Sequence, residues 1–482
     1  MNHLTVDVAI IGAGSAGMSA YRAARAHTDK VVVIESGAYG TTCARVGCMP
    51  SKLLIAAAEA AHAVDGAHRF GIDAGRAGID GKAVMQRVRA ERDRFVGFVV
   101  EAVQAWPDDH RLVGHARFLS PHELDVGGHT VVTAGRIVIA TGSSPAIPSG
   151  WRETLGERLV VNDDVFDWDD LPASVAVVGT GVIGLELSMA LARLGVRVRL
   201  FGRGNRVGPL TDPAVADKAR TIVRAALPAS LEAERIEPVR AGERVRVRWQ
   251  EDGARHEEDF DFLLAATGRR PNLRGLDLQR AGIELDAFGI PHADRHTRRI
   301  GKSHIFIAGD AADDVALLHE ASDEGRIAGD NAGRYPDTIV RPRRTPLTVV
   351  FSDPQMVIAG ASHGELERRG ADFVSGAASF DDQGRSRVMG RNLGQLQVYG
   401  ERGTGRFLGA EMIGPDAEHI GHLLSWSVQH GLTVQQMLDS PFYHPVVEEG
   451  LRTALRALKD RLGLPLPALE GCLDCVAAPA VP

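Results

Sequence analysis

The apolar positions of this chain fall into two textures. Through most of its length they gather in short unbroken runs: "VDVAIIG", "KVVVIES", "RIVIATG", "SVAVVG", "FLLAATG" and "SHIFIAG". Runs of this kind read as strands of a parallel sheet covered on both faces. Two of them continue into a glycine turn and a helical stretch of small residues. These are "VDVAIIGAGSAGMSAYRAARAHTDKVVVIES" (6–36) and "SVAVVGTGVIGLELSMALARLGVRVRLFGRG" (174–204), each a strand, turn, helix and strand. From 346 the texture changes. "LTVVFSDPQMVIAG", "LGQLQVYGERGTGRFLGAEMIG" and "EHIGHLLSWSVQHG" predict an antiparallel sheet with helices, hence an α+β domain. The last stretch, "LPLPALEGCLDCVAAPAVP", is rich in Pro and Ala and is expected to lack regular structure until it docks.

The two glycine turns carry the first chemistry. Gly12, Gly14 and Gly17 make G-x-G-x-x-G, and Gly179, Gly181 and Gly184 repeat the spacing without a gap. The first glycine allows the tight turn, the second the approach of a pyrophosphate, the third close packing of helix on strand. Backbone N–H groups at the helix start then face the phosphates. Glu35 closes the next strand, where a carboxylate can take ribose hydroxyls. Two such motifs, each framed by strand and helix, predict two dinucleotide sites rather than turns without a ligand. Two further strands end in Ala-Thr-Gly, at Thr141-Gly142 and at Thr267-Gly268, and each is expected to mark the crossing out of one nucleotide domain. Another ends in Gly309-Asp310.

Composition narrows the setting. A chain of 482 residues should divide into roughly two to four domains. Its 54 glycines and 5% aromatics suit repeated tight turns against small-residue helices. The net charge of -7 argues against a nucleic-acid or anionic-membrane partner. No apolar run reaches the roughly 18 residues of a membrane span, and the start has no basic region before its first strand. The expected compartment is the cytoplasm, where structural disulfides are uncommon.

That bears on "TTCARVGCMPSK", which holds Cys43 and Cys48, two of only four cysteines. A staple, a metal corner and a working thiol pair are the three readings. On an ideal helix, residues five apart point about 140° away from each other. The pair should therefore sit in an irregular approach to a helix that starts near Pro50. A helix N-terminus favours a thiolate, which serves a redox pair and is of no value to a staple. No His or further Cys lies at ligand spacing nearby, so no metal site is expected.

Taken together, the double glycine motif, "CARVGC", both Ala-Thr-Gly strands, "IAGDAA" and "YHPVVEEG" resemble the flavin-dependent pyridine-nucleotide–disulfide oxidoreductases. The match spans roughly 5–460, and "LLHEASDEG" (317–325) looks closest to dihydrolipoamide dehydrogenase. The resemblance implies an α/β fold with two Rossmann-like FAD/NAD(P)-binding domains, the second inserted in the first, plus a C-terminal α+β dimerisation domain. The boundaries are 1–145 and 267–345 for FAD, 146–266 for the nicotinamide dinucleotide, 346–463 for the interface and 464–482 for the tail. It implies FAD on the first motif, with Glu35 on the ribose, Asp310 near the flavin's chain and His319 near its ring. Cys48 would be the charge-transfer thiolate and Cys43 the thiol that exchanges with substrate. Lys52 and Glu186 would pair beside the flavin. His444, oriented by Glu449 rather than the adjacent Glu448, would act as acid/base from the partner of a homodimer. The enzyme implied first is dihydrolipoyl dehydrogenase, acting on a small dithiol or a lipoyl-bearing protein. An NADPH-dependent disulfide or mercuric-type reductase is the alternative, and a non-catalytic flavoprotein scaffold or redox sensor is the reading of another class.

Two features depart from the dihydrolipoamide pattern. Glu35 stands 23 residues after Gly12, but the same step from Gly179 reaches Gly202, followed by Arg203 and Arg206. A carboxylate there would repel a 2′-phosphate and arginines would bind it, so NADP is favoured over NAD. The tail adds Cys472 and Cys475 in "GCLDC", which resembles the C-terminal redox pair of mercuric reductase and the large thioredoxin reductases. A relay to a bulky substrate is one expectation; an incidental or metal-binding dithiol is the other.

Overall fold

The computed structural model describes residues 1–463. It comprises two compact units. One holds Met1–Pro209, Ala219–Arg344 and Val350–Asp353; the other holds Leu210–Lys218, Thr345–Val349 and Pro354 onward.

In the first unit, strand Asn2–Ile11 lies between Val31–Glu35 and Thr130–Ile139, parallel to both, with Ile10 opposite Val33 and Val138. Arg111–Val113 extends one edge. The strand Thr130–Ile139 is used twice: its first half pairs antiparallel with Glu123–Val126, and Ile137–Ile139 pairs parallel with Ile305–Ile307. The chain therefore returns to its first sheet after building a second. That second sheet, all parallel, runs Ala229–Ser230, Arg197–Phe201, Ser174–Val178, Phe262–Ala265, Leu159–Val160. The central runs are apolar because both faces are covered: Val8, Ala9, Ile10, Val175, Ala176 and Val177 are fully buried. An antiparallel meander, Glu234–Ala241, Arg244–Glu251 and Ala254–Phe260, adjoins it in sequence. Ser143–Pro145 and Arg269–Pro271 form a two-stranded ribbon, so the segments after both Ala-Thr-Gly sequences pair with each other.

Small residues set the spacing of the helices. A Cβ added at Gly325 or Gly329, in helix Leu318–Arg334, would fall 2.1 or 2.2 Å from the carbonyls of Ala16 and Ala20 in helix Ser15–Ala24. The two backbones touch, which only glycine permits.

The second unit is a five-stranded sheet in the order Leu347–Val350, Gln355–Gly360, Phe407–Gly414, Gln395–Glu401, Phe373–Ser379. Its core gathers Val357, Phe380, Leu396, Val398 and Met412 with Ile420 and Leu424 of helix Ala417–Gln429 and Leu455 and Leu458 of helix Glu449–Leu462. Leu210–Lys218 belongs to this unit, and Glu411 holds it there. Its fully buried carboxylate accepts from Thr211 N (2.6 Å), Thr211 Oγ1 (2.5 Å), Asp212 N (2.9 Å) and His363 N (2.8 Å). A buried charge is tolerated only with such a full set of donors. No helix among the described residues is long and apolar enough to cross a membrane.

The two glycine motifs give a direct test of this packing. A Cβ at Gly17 would meet the Gly12 carbonyl at 1.8 Å, whereas one at Gly14 would meet nothing within 4 Å. Gly17→Ala should lower stability in urea by about 1–3 kcal/mol. Gly14→Ala should leave the apoprotein within about 0.5 kcal/mol of wild type while weakening dinucleotide retention. Equal destabilisation by both would show that the turn is not packed as described.

Candidate functional site

The two glycine turns are near copies. Gly12 has φ 106° and Gly179 φ 122°, conformations that side chains rarely adopt. Their added Cβ atoms would lie 2.4 and 2.1 Å from the carbonyls of Ala140 and Ala266. Gly14 and Gly181 cap the following helices, at φ -76° and -75°, and neither helix start has a side-chain cap. A Cβ at Gly181, like one at Gly14, would meet nothing within 4 Å. Each turn thus presents uncapped N–H groups to open space, the arrangement that takes a phosphate.

At the first turn, the Glu35 carboxylate accepts from Ala13 N (2.8 Å) and Gly37 N (2.9 Å) at the strand end. The Thr141 hydroxyl is buried and has no hydrogen-bond partner. Gly142, at φ 67°, offers its carbonyl to Asn272 N (2.9 Å). An open glycine cradle, an uncapped helix and an orphaned buried hydroxyl fit a bound dinucleotide. Asp310 accepts from Ser143 Oγ at 2.6 Å, and Arg269 Nε donates to the same Ser143 Oγ at 2.8 Å. Ser143 and Arg269 lie in the ribbon and were missed in the sequence; their signal was only that each follows an Ala-Thr-Gly. Gly268, at φ 108°, accepts from Ala146 N (2.9 Å) across that ribbon. Behind Asp310, the buried Glu324 accepts from Gly309 N (2.8 Å) and pairs with the buried Arg298 (3.2 Å). His319 is half exposed, its Nε2 3.9 Å from Glu320 Oε1.

The thiols stand on either side of a break between two helices. Cys43 belongs to the short helix Thr42–Val46, and Cys48 is the first residue of helix Cys48–Gly66. The helix thus starts at Cys48 itself rather than near Pro50. Gly47 makes the break: a Cβ there would lie 3.0 Å from the Thr42 carbonyl and 3.3 Å from Cys43 Cα. Thr41 caps the short helix, accepting from Ala44 N (3.2 Å), at a strained φ of 55°. Both thiols are free. The hydrogen bond from Cys43, helped by the charge of Lys52, lowers the Cys48 thiol to about 7. Donating that bond, and burial, push the Cys43 thiol up. Lys52 Nζ lies 2.8 Å from Glu186 Oε2 and 4.4 Å from the centroid of the Phe351 ring. Glu186 is buried, and its other oxygen accepts from Phe351 N at 3.0 Å.

At the second turn, Gly202 occupies the place that Glu35 has at the first. Arg203 and Arg206 are exposed and make no hydrogen bond or ion pair among the described residues. In the second unit, His444 Nδ1 lies 2.9 Å from Glu449 Oε2, and the ring is 80% exposed. Glu449 Oε1 also takes Arg452 at 2.8 Å. Partial desolvation raises the Glu449 carboxyl, but the bond to His444, the Val446 N–H and the charge of Arg452 hold it below its ordinary value. Glu448 makes no such contact. Cys472 and Cys475 lie outside the described residues. Among the described residues, no three His, Cys, Asp or Glu side chains gather as metal ligands would.

Residues 6–325 match the model of the family described as pyridine nucleotide-disulphide oxidoreductase, and 347–455 match its dimerisation domain. A mercuric reductase of Shigella flexneri is 32% identical over 93% of this chain and 80% of its own length. A dihydrolipoyl dehydrogenase of Bacillus subtilis is 28% identical over 93% of this chain and 98% of its own. The solved structure of RclA, an HOCl-induced flavoprotein disulfide reductase of Escherichia coli, superposes with a TM-score of 0.79 at 24% identity. It covers 93% of this chain and 99% of that one, and shows the shared fold.

The unequal thiols can be titrated. In the reduced protein, thiolate ultraviolet absorbance should rise for one cysteine near pH 7, and Lys52→Met should move that step upward by about a unit or less. Cys48→Ser should remove the step and let Cys43 titrate lower than in wild type. Two thiols titrating together in the ordinary range would contradict the hydrogen-bond direction.

Proposed function

We propose that this chain, which belongs to the pyridine nucleotide-disulphide oxidoreductase family, is an NADPH-consuming reductase of a disulfide. Its family is FAD-dependent and binds a nicotinamide dinucleotide. The observation that carries the choice of cofactor is the second turn. No carboxylate stands at Gly202, and two unpartnered guanidiniums follow it. A 2′-phosphate needs that pairing, and an NAD ribose prefers an acid.

FAD, when bound, would supply the two-electron chemistry that links the nicotinamide to sulfur. The residues of this chain do the rest. Gly14, Glu35, Thr141 and Asp310 would hold the flavin nucleotide; Gly181, Arg203 and Arg206 would hold the second dinucleotide. Lys52, fixed by Glu186, supplies positive charge beside Cys48 and would supply it to the flavin ring. Cys43 loses its proton to a base and attacks one sulfur of the substrate disulfide. The first product leaves as a thiol on accepting that proton. The Cys48 thiolate then attacks Cys43 sulfur, the Cys43–Cys48 disulfide forms, and the second product thiolate leaves and takes a proton from solvent. Because Cys43 is held protonated, the first step requires a base. His444 is that base, its ring oriented by Glu449. In a homodimer, which the dimerisation-domain match supports, the exposed His444 of one copy would serve the thiols of the other.

Dihydrolipoyl dehydrogenase is the second reading, favoured by "LLHEASDEG" and by the Bacillus subtilis relative. It would run the same residues in reverse with NAD. The cytoplasm remains the proposed compartment.

Initial rates separate the readings. NADPH should exceed NADH by about tenfold or more in kcat/KM with a reducible disulfide such as oxidised glutathione or lipoamide. Faster turnover of dihydrolipoamide with NAD would overturn the proposal in favour of the second reading. His444→Ala should lower kcat by about 10²–10⁴, and mixing it with Cys43→Ser should restore activity in hybrid dimers alone.

A further inference from the structure

We infer that Thr180, between the first two glycines of the second motif, is a specificity-determining residue: it fills the space in which a ribose-binding carboxylate would stand, and Gly202 is its obligate partner. The inference rests on the NADPH reading above and explains how the fold enforces it.

The two motifs provide an internal control. In the first, the residue between the glycines is Ala13, and Glu35 at the next strand end turns back so that its carboxylate accepts from Ala13 N at 2.8 Å. In the second, the residue between the glycines is Thr180, and the strand end is Gly202. A Cβ placed on Gly202 would lie 2.7 Å from Thr180 Cγ2 and 3.3 Å from its Oγ1. As the threonine stands, both of its γ atoms crowd that position, so a side chain there requires Thr180 to turn or be replaced. The same Cβ would also lie 3.2 Å from the carbonyl of Leu231.

The backbone has no slack to escape this. Gly202 N donates to Ser230 O at 2.8 Å, and Gly202 O accepts from Ala233 N at 3.0 Å. Both of its polar groups are tied to one neighbouring segment, so the residue cannot swing away from Thr180. Gly202 is not at a positive φ, so the requirement for glycine here is one of space alone.

Thr180 also shapes the loop that carries the arginines. Its carbonyl accepts from Gly208 N at 2.8 Å, and Asn205 N donates to Leu231 O at 3.1 Å. Arg220 and Arg224 donate to Asn205, each at 3.3 Å. The backbone of 202–208 is therefore fastened at Gly202, Asn205 and Gly208, while the side chains of Arg203 and Arg206 are left unpartnered. A fastened loop with free guanidiniums is prepared for an anion, because little order remains to be imposed on binding.

A double-mutant cycle tests this, using binding of NADP⁺ and NAD⁺ to the FAD-loaded full-length protein by calorimetry. Thr180→Ala alone should change either affinity by less than about threefold. Gly202→Glu alone should weaken both by about tenfold or more, because the new side chain cannot be seated beside Thr180 at a strand end held on both sides. The pair Thr180→Ala, Gly202→Glu should bind NAD⁺ about tenfold tighter than Gly202→Glu does, and should not recover NADP⁺. If Gly202→Glu alone binds NAD⁺ as well as the pair, Thr180 is not the gate. If the pair is no better than Gly202→Glu, the carboxylate does not stand there. Should Gly202→Glu fail to hold FAD, thermal denaturation reads the same coupling with Gly202→Ala: its loss in Tm should be reduced by Thr180→Ala, and additive losses would overturn the inference. A wild type that prefers NAD⁺ would remove the NADPH reading, while the cycle would still report whether the two positions compete for one space.

Discussion

The ion pair between Lys52 and Glu186 is the interaction on which the rest of the site depends. Lys52 lies one turn after Cys48 on the thiol helix, and Glu186 lies on the helix that opens from the second glycine turn. At 2.8 Å they join the part of the chain that carries the redox sulfurs to the part that would present the nicotinamide. Glu186 is buried, and its second oxygen is occupied by Phe351 N, so the carboxylate has no rotational freedom left. Losing one partner of a fully buried pair costs about 3–5 kcal/mol. The figure is smaller here, because a third of the lysine side chain is open to solvent. Geometry matters more than energy in this case. The same ammonium that fixes the helix also lies close enough to Cys48 to stabilise its thiolate, so a structural contact and an electrostatic one share a single atom.

The duplicated turns show how one backbone device is given two specificities. Their strain, close contacts and helix starts match almost atom for atom, because a pyrophosphate imposes the same demands at both. They part company only where the adenosine riboses would lie. Ala13 leaves room for Glu35, and Thr180 leaves none at Gly202. On the proposed reading, selectivity would reside in a pair of positions 22 residues apart at each motif, Ala13 with Glu35 and Thr180 with Gly202. Neither member alone defines it.

Features that repeat at fixed spacing were legible in the sequence. The glycine motifs, the apolar strands, the shift to antiparallel texture near 346 and the closeness of Cys43 to Cys48 all express local rules. What escaped were contacts between distant segments. The Arg269, Ser143 and Asp310 chain joins residues far apart in sequence, each unremarkable by itself. Glu411 draws Leu210–Lys218 into the C-terminal unit through four donors that no pattern announces. The start of the thiol helix was misplaced by two residues because proline was taken as the signal. The structural cause is Gly47, which lets the chain pass so close to Cys43 that the helix can begin at Cys48.

The division of labour between the sulfurs follows from that start. Cys48 is at the first position of a helix, accepts a hydrogen bond from Cys43 and has Lys52 one turn along, and all three favour its anion. Cys43 donates that bond and is partly buried, and both keep its proton in place. Unequal thiols of this kind would give the proposed reaction an order of events: Cys48 could close the disulfide only after Cys43 had met substrate. The proposed reaction therefore needs a base to release Cys43. The exposed ring of His444, with Glu449 accepting at one nitrogen, would offer its other nitrogen for that proton. In the proposed homodimer, a base carried by the unit that lacks the thiols would make turnover conditional on assembly, a constraint that neither sulfur could impose alone.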